Sequence, residues 1–151
     1  MFSVIFPGQG SQIVGMTSEF YSKYDFIKKL YKEADEILNF PISKLILEGP
    51  KDQLDLTENT QPAIFLAGYS IFRLINEHHE IDLKKSKFYA GHSLGEYTAL
   101  ACAGALSFSD TLKILKIRGK AMQEAVPKGQ GGMLAILGSD IDSIDKILKD
   151  C

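Results

Sequence analysis

Two cysteines are all that this 151-residue sequence contains, and tryptophan is absent. Cys102 and Cys151 are too few for a disulfide framework, and their spacing does not suit a zinc site, so we expect no bound metal. Charge of one sign is also lacking, since 17 basic residues stand against 19 acidic ones without a basic cluster. The electrostatic footprint that phosphate-backbone binding requires is therefore missing, and nucleic acid is not expected as a main partner.

Long hydrophobic runs are lacking as well. The most apolar stretch, Pro62 to Phe72, is shorter than the roughly 18–20 residues needed to cross a bilayer, and it contains Gly68, Tyr69 and Ser70. Met1 leads directly into a strand-like segment, without a basic leader or a small-residue cleavage site. We therefore expect no membrane contact and a cytoplasmic location. The 45% hydrophobic content is typical of one soluble globular domain.

The order of predicted elements indicates an α/β fold. Phe2 to Phe6 predicts a buried strand, which Pro7–Gly10 interrupts with a tight loop. Apolar residues at helical spacing predict a surface helix, for which Asp25 is the expected N-cap. The surface helix spans Asp25–Leu38. We expect residues 41–55 to form a connection that contains one or two helical turns. The later predicted elements are an enclosed helix Thr60–Asn76, a strand Phe88–Ala90, a helix Glu96–Ala103, a helix capped by Ser109 and running to Val126, a strand Met133–Leu137 and a helix Ile141–Cys151.

The segment from Gly91 to Gly95 has the pattern Gly-x-Ser-x-Gly between a strand and a helix. This arrangement is a nucleophile elbow, in which glycines permit a turn too tight for side chains and the serine hydroxyl is exposed. Ser93 is the candidate nucleophile. The helix that begins at Leu94 directs free N–H groups at the place where an oxyanion would form, which favours acyl transfer. The alternative is an ordinary strand-to-helix turn with an N-cap serine.

A serine nucleophile needs a general base, and the sequence offers only His78, His79 and His92. None follows Ser93, so the α/β-hydrolase order of serine, acid and histidine cannot be completed. We expect His92 to pack behind the elbow rather than act on Ser93. His78 and His79 are most simply solvated loop residues, and their adjacency alone makes no metal site.

Arg118 is the one charge on the apolar side of its predicted helix. At about 100° per residue, it falls among Ile114, Leu115 and Met122, while the lysines gather on another face. A desolvated guanidinium needs an anionic partner, because leaving it unpaired would cost several kcal/mol. The partner is either a carboxylate of the protein or one of a ligand; a snorkelling side chain is the remaining alternative.

The N-terminal glycine loop does not have a dinucleotide fingerprint. Gly8-x-Gly10 is followed by Ile13, where the pattern Gly-x-Gly-x-x-Gly requires its third glycine. A nicotinamide cofactor is therefore poorly supported. A loop after a strand can still present backbone N–H groups to an anion, although Gln9 and Ser11 could equally be plain turn residues.

Three motifs together resemble one family. Residues 6–12 (FPGQGSQ), 91–97 (GHSLGEY) and 118–122 (RGKAM) are similar to those of malonyl-CoA:acyl carrier protein transacylases, and Thr60-Gln-Pro-Ala63 and the glycine-rich segment 127–135 also match. The resemblance implies that Ser93 attacks malonyl-CoA and forms a malonyl-serine intermediate, whose acyl group passes to the phosphopantetheine thiol of acyl carrier protein. It further implies an oxyanion hole from the backbone amides of Gln9 and Leu94, a malonyl carboxylate bound by Arg118, and no tightly bound cofactor.

The same resemblance implies a fold and a division of the chain. Residues 1–127 would form part of an α/β-hydrolase-like acyltransferase subdomain, and residues 128–151 would begin a ferredoxin-like small subdomain. The family's catalytic histidine lies well after the arginine and would not be in this sequence. We therefore expect the chain to be the N-terminal part of an enzyme of roughly twice its length.

Three other functions compete with a discrete transacylase. One is the acyltransferase domain of a polyketide or fatty-acid megasynthase, which the position of Met1 directly before the first strand disfavours. Another is a serine thioesterase, which would share the elbow but gain nothing obvious from Arg118. The last is a binding module that keeps affinity for acyl-CoA or carrier protein but lacks the base.

Overall fold

The fold is described here from a computed structural model, which covers residues 2–78, 81–126, 130 and 136–150. Within those residues the fold is rich in helix, with two short strands separated by five helices and followed by three more. In chain order they are β1 Ser3–Phe6, α1 Ser18–Lys23, α2 Asp25–Leu38, α3 Ile42–Glu48, α4 Lys51–Leu54, α5 Thr57–His78, a 3₁₀ turn Leu83–Lys85, β2 Phe88–Gly91, α6 Gly95–Cys102, α7 Phe108–Ala125 and α8 Ile141–Asp150.

Both predicted strands that fall in the described residues are confirmed, and they pair in parallel. The register runs from Ser3 opposite Phe88 to Phe6 opposite Gly91, so both strands end at the same edge. Parallel pairing requires a long crossover, which the helices between the strands supply. The loop after β1 and the elbow after β2 therefore lie side by side.

The prediction that β1 is buried is wrong. Phe6 is buried against Phe72 of α5 and against α6, but Ile5 is 75% exposed. Successive side chains of a strand point to opposite faces, and in the described part of the chain helices cover only the face of Phe6. The apolar run of β1 thus has one buried face and one open one.

Helix α5 lies at the centre of the core, as its all-round apolar pattern predicts. Its first half is almost entirely buried, and it packs against α7, α2, α3 and α6. The largest fully buried side chains around it are Tyr31, Phe65, Ile27, Ile46, Leu112 and Leu115. The core is therefore mainly helical, and the two strands lie at its edge.

The ends of the helices show where local prediction succeeds and fails. Helix α2 has the predicted bounds, but its N-cap is Tyr24, and Asp25 is its first residue, paired with Lys28. Helix α7 is capped by Ser107 and not by Ser109, because the Ser107 hydroxyl accepts a hydrogen bond from the Asp110 amide at 3.0 Å. Ser107 is the N-cap because Asp110, three residues later, also accepts a hydrogen bond from its hydroxyl.

Other differences are smaller. Helix α1 was not predicted, and the helical turns expected in residues 41–55 are the two short helices α3 and α4. The predicted strand Met133–Leu137 lies largely outside the described residues. Helix α8 is confirmed over the described residues. None of the described helices is both long enough and apolar enough to span a membrane.

Candidate active site

Ser93 lies in the turn between β2 and α6 with the backbone of a nucleophile elbow. Its φ is +54°, in the left-handed region that a non-glycine residue adopts only at a cost. Glycines on both sides are required by close contact between backbones. A Cβ on Gly91 would meet the carbonyl carbon of Gly95 at 1.9 Å, and one on Gly95 would meet the Phe6 oxygen at 2.6 Å. The pattern Gly-x-Ser-x-Gly thus has a steric reason at each glycine.

The first turn of α6 begins directly behind this serine. The Gly95 amide donates to the His92 oxygen and the Glu96 amide to the Ser93 oxygen. Among the described residues, the Leu94 amide has no acceptor, as expected at a helix start, where the first N–H groups lack intrahelical partners. The Leu94 side chain is fully buried, which fixes the position of its backbone.

The loop after β1 lies against the elbow. Gly8 is pressed so closely onto His92 that a Cβ there would come within 2.5 Å of the imidazole Nδ1. The His92 amide in turn donates to the Phe6 oxygen at 3.1 Å. In the described part of the chain, the Gln9 amide also has no backbone acceptor. Both amides named for the oxyanion hole thus belong to adjoining segments.

Two glutamines attach this loop to the end of α4 and the start of α5. Gln12 accepts from the Gly10 amide and donates to the Asp55 carboxylate, both at 2.8 Å. The hydrogen bond from Gln12, together with that from Lys51, holds the pKa of the Asp55 carboxyl below its usual value. The Gln9 side chain makes a weaker contact, 3.4 Å from the Thr57 hydroxyl. The loop is therefore held by side chains as well as by the sheet.

Arg118 reaches from α7 to the elbow. Its Nη2 donates to the Ser93 hydroxyl at 3.2 Å, and its Nη1 donates to the Gln61 amide oxygen at 2.7 Å. The Tyr97 ring lies 5.7 Å from the guanidinium carbon, within range of a cation–π contact. No protein carboxylate pairs with Arg118 in the described residues, so the internal ion pair considered from the sequence is not found there.

Gln61 is the residue of this site that the sequence did not single out. Its side chain is fully buried on α5, and its Nε2 donates to the Met122 sulfur at 3.2 Å while its oxygen accepts from Arg118. The sequence feature that could have indicated Gln61 is its position as a glutamine inside a mostly apolar helix, within the motif Thr60-Gln-Pro-Ala63. A buried amide needs partners, and the polar partner here is the arginine.

The two described histidines match the sequence predictions in part: His78 is exposed as expected, but it is the last residue of α5 and not a loop residue. Its ring stacks 5.4 Å from Phe26. His92 lies close to Gly8, is exposed to solvent, and makes no hydrogen bond to Ser93 among the described residues. His79 lies outside the described residues. Among the residues that the structure describes, no three metal-ligating side chains cluster.

An apolar cavity lies beside β1, away from Ser93. Its volume is about 370 Å³, and Val4, Phe6, Ile64 and Phe72 are among the residues that line it. Neither Ser93 nor Arg118 belongs to its lining. The candidate active site is thus an open junction of a loop, an elbow and a helix, and its serine and arginine lie outside this cavity.

Comparisons with known proteins agree with this geometry. The sequence model of the family described as the acyl transferase domain matches residues 3–147. The malonyl CoA-acyl carrier protein transacylase of Haemophilus influenzae is 43% identical over 148 residues, which are 98% of this chain and 47% of that protein. The chain therefore spans about half the length of the curated relatives it matches.

Solved structures give the same result. The malonyl CoA-acyl carrier protein transacylase of Coxiella burnetii superimposes with a TM-score of 0.90 at 41% identity, over 99% of this chain and 46% of that one. A malonyl-transacylase in complex with its type II PKS acyl-carrier protein also superimposes with a TM-score of 0.90, at 40% identity over 99% of this chain and 47% of that one. With its serine elbow and arginine, this chain belongs to the acyl transferase family and has that family's α/β fold.

Proposed function

We propose that this chain carries the nucleophile and the acyl-binding residues of an enzyme that transfers a malonyl group from malonyl-CoA to the phosphopantetheine thiol of acyl carrier protein. The observation that carries the proposal is the 3.2 Å contact between Arg118 Nη2 and Ser93 Oγ. In a malonyl thioester one methylene separates the carboxylate from the reacting carbonyl. A cation beside the nucleophile is therefore placed to bind this carboxylate while the serine attacks the carbonyl.

In the proposed first step, Ser93 Oγ bonds to the thioester carbonyl carbon, and coenzyme A leaves as its thiol after taking up the serine proton through a general base. The developing oxyanion accepts hydrogen bonds from the Gln9 and Leu94 amides, both of which lack a backbone acceptor among the described residues. In the second step, the thiol of acyl carrier protein attacks the malonyl-serine ester and restores the hydroxyl.

Arg118 binds the free carboxylate in this scheme. Its guanidinium has two neutral hydrogen-bond acceptors and no carboxylate partner in the described residues, so its charge is available to the substrate. An acetyl group would leave that half-buried cation without an anion, which selects for malonyl over acetyl. A thioesterase for uncharged acyl groups would not need this cation, whereas an enzyme that binds a malonyl group does.

We propose that residues 1–127 belong to the α/β-hydrolase-like acyltransferase subdomain and that residues 128–151 begin a ferredoxin-like small subdomain. We assign the general base to a histidine in the half of the relatives' length that this chain does not cover. His92 is a poor alternative, since its ring faces Gly8. The catalytic unit is in this view built from both halves.

Intact-protein mass spectrometry after incubation with malonyl-CoA tests the proposal. The chain is assayed alone and fused to the uncovered C-terminal part of the Haemophilus influenzae relative. We expect a malonyl adduct on the fusion, lost in Ser93→Ala, strongly reduced in Arg118→Ala and weak with acetyl-CoA. A fusion that folds but forms no adduct, or an adduct that survives Ser93→Ala, would contradict the assignment.

Transfer to acyl carrier protein separates the transferase from a hydrolase. Adding the phosphopantetheinylated carrier protein to the malonyl-fusion should move the adduct to the carrier protein. Rapid loss of the adduct to water, with no gain in carrier-protein mass, would instead indicate a thioesterase.

A further inference from the structure

We infer that Gln61 sets the specificity of the site as a positioning residue for Arg118, and that it does so because its amide is neutral. The inference rests on the proposed function, since it concerns the carboxylate that Arg118 would bind. Gln61 is fully buried and offers its oxygen to Arg118 Nη1 at 2.7 Å. No carboxylate of the described residues competes for the same guanidinium.

The orientation of the Gln61 amide is fixed from both ends. Its NH₂ group faces the Met122 sulfur at 3.2 Å, one turn beyond Arg118 on α7. Sulfur is a weak acceptor and not a donor, so the opposite end of the amide, the carbonyl oxygen, is left for the arginine. Met122 and Arg118 therefore bind complementary ends of one buried side chain.

The backbone beneath this contact allows little adjustment. Gly119, next to Arg118, lies so near α5 that a Cβ would meet the Glu58 Cα and the Thr57 oxygen at 2.6 Å. Two residues before Arg118, Lys116 donates to the Asn59 amide oxygen of α5 at 2.9 Å. Helices α5 and α7 are thus fixed in register on either side of Arg118, which holds Gln61 and the guanidinium in reach.

The consequence is electrostatic. A guanidinium has five N–H donors, and Gln61 occupies part of this fork without cancelling its charge. A glutamate of the same shape would form a buried ion pair with Arg118, so a substrate carboxylate would have to displace an existing anion. A neutral acceptor orients the Arg118 guanidinium toward Ser93 and leaves its positive charge available to the substrate carboxylate.

Three substitutions in the fusion described above test this role, with kcat and KM measured separately for malonyl-CoA and acetyl-CoA. For Gln61→Glu we expect the malonyl-to-acetyl ratio of kcat/KM to fall by about 10- to 100-fold, since an internal ion pair would neutralise Arg118. For Gln61→Met, which is neutral but accepts only weakly, we expect the same ratio to fall by only about 3-fold, through a higher malonyl KM, because Arg118 keeps its charge and loses only its positioning acceptor.

Gln53→Glu is the matched control, because it adds the same charge at an exposed position on α4. Its selectivity should equal that of the unsubstituted fusion. Unfolding by urea, followed for each variant, checks that the substituted proteins are folded under the assay conditions.

The outcomes separate the inference from the proposed function. If the unsubstituted fusion discriminates but Gln61→Glu retains its ratio, or loses malonyl and acetyl activity equally, then Gln61 has only a structural role and the inference is wrong. If the unsubstituted fusion forms no malonyl-serine, the proposed function itself fails. A selective fall in the malonyl reaction confirms the specificity role.

Discussion

The two sides of the candidate active site are built differently. On the α5–α7 side, backbones touch at Gly119, and the side chains beneath Arg118 are buried. On the sheet side, helices cover one face of β1 and β2 in the described residues, while Ile5 and Phe88 are 75% and 60% exposed. The arginine therefore has a tightly packed support within the described residues, whereas the sheet below the serine is packed on one face. Four predictions test this difference between the two sides.

On the sheet side, the elbow should be the place where a substitution costs the most stability. In Gly91→Ala, the new Cβ would meet backbone atoms of Gly95 and Glu96 within 2.3 Å, and no flexible side chain can yield there. We expect a loss of at least about 3 kcal/mol in the free energy of unfolding and loss of acylation. Urea unfolding measures the first and mass spectrometry the second.

Gly104→Ala serves as the control for Gly91→Ala. Gly104 has a positive φ of +82° but no atom within 4 Å of its Cβ position, so only backbone strain of about 1–2 kcal/mol is expected. If the two variants lost equal stability, close backbone contact would not be what the elbow requires.

A matched pair of isoleucines compares the helical core with the open face of the sheet. Ile46 is fully buried in the helical core, so Ile46→Ala should cost about 2–5 kcal/mol of unfolding free energy. Ile5→Ala should change it by about 0.5 kcal/mol or less, because Ile5 is 75% exposed. Urea denaturation of both variants checks this. A large effect of Ile5→Ala would mean that this face of the sheet is covered in solution.

Two helical glycines test the α5–α7 contact. Gly119→Ala should destabilise the chain by about 1–3 kcal/mol because its Cβ would meet the α5 backbone at 2.6 Å. Gly68→Ala is the control, since its Cβ would make an ordinary contact 3.4 Å from Thr98, and alanine should gain about 0.5–1 kcal/mol in the helix. Thermal and urea unfolding measure both. Equal effects would show that the two helices are not closely fitted.

The smallest effect concerns Asp55, whose hydrogen bond from Gln12 holds its pKa below the usual value. A lowered folded-state pKa stabilises the fold at neutral pH, and the contribution is lost as the pH falls through that value. Gln12→Ala should raise the pKa of Asp55 toward its ordinary range, as followed by NMR titration of the carboxyl carbon. Gln53→Ala, which removes an amide that does not contact Asp55, should leave it unchanged.

The sequence predicted the residues that carry local signals. The bounds of α2 follow from its apolar spacing, and the elbow follows from two glycines around Ser93 between a strand and a helix. The helical wheel also identified Arg118 as a cation in need of a partner. These features depend on residues near one another in the chain, which is why pattern and propensity are sufficient.

The rest depends on contacts between distant segments. Gln61 becomes part of the site only because α5 and α7 place it against Arg118, 57 residues further along the chain. The burial of β1 was overestimated because an apolar run does not reveal how many faces of a sheet are covered. The prediction of Ser109 as the N-cap of α7 was wrong for a local reason. Two serines could cap this helix, and it is the Ser107 hydroxyl that accepts from the Asp110 amide.

The parallel pairing of β1 with β2 also has a consequence for the order of folding. Every paired position joins residues whose numbers differ by 85, whereas the backbone hydrogen bonds within a helix join residues four apart. Closing so long a loop costs entropy before any strand contact repays it, and contacts of this kind slow folding. We expect the helices to form first and the strands to join late. Ser93 would then acquire its left-handed backbone, and with it an exposed hydroxyl, among the last events of folding.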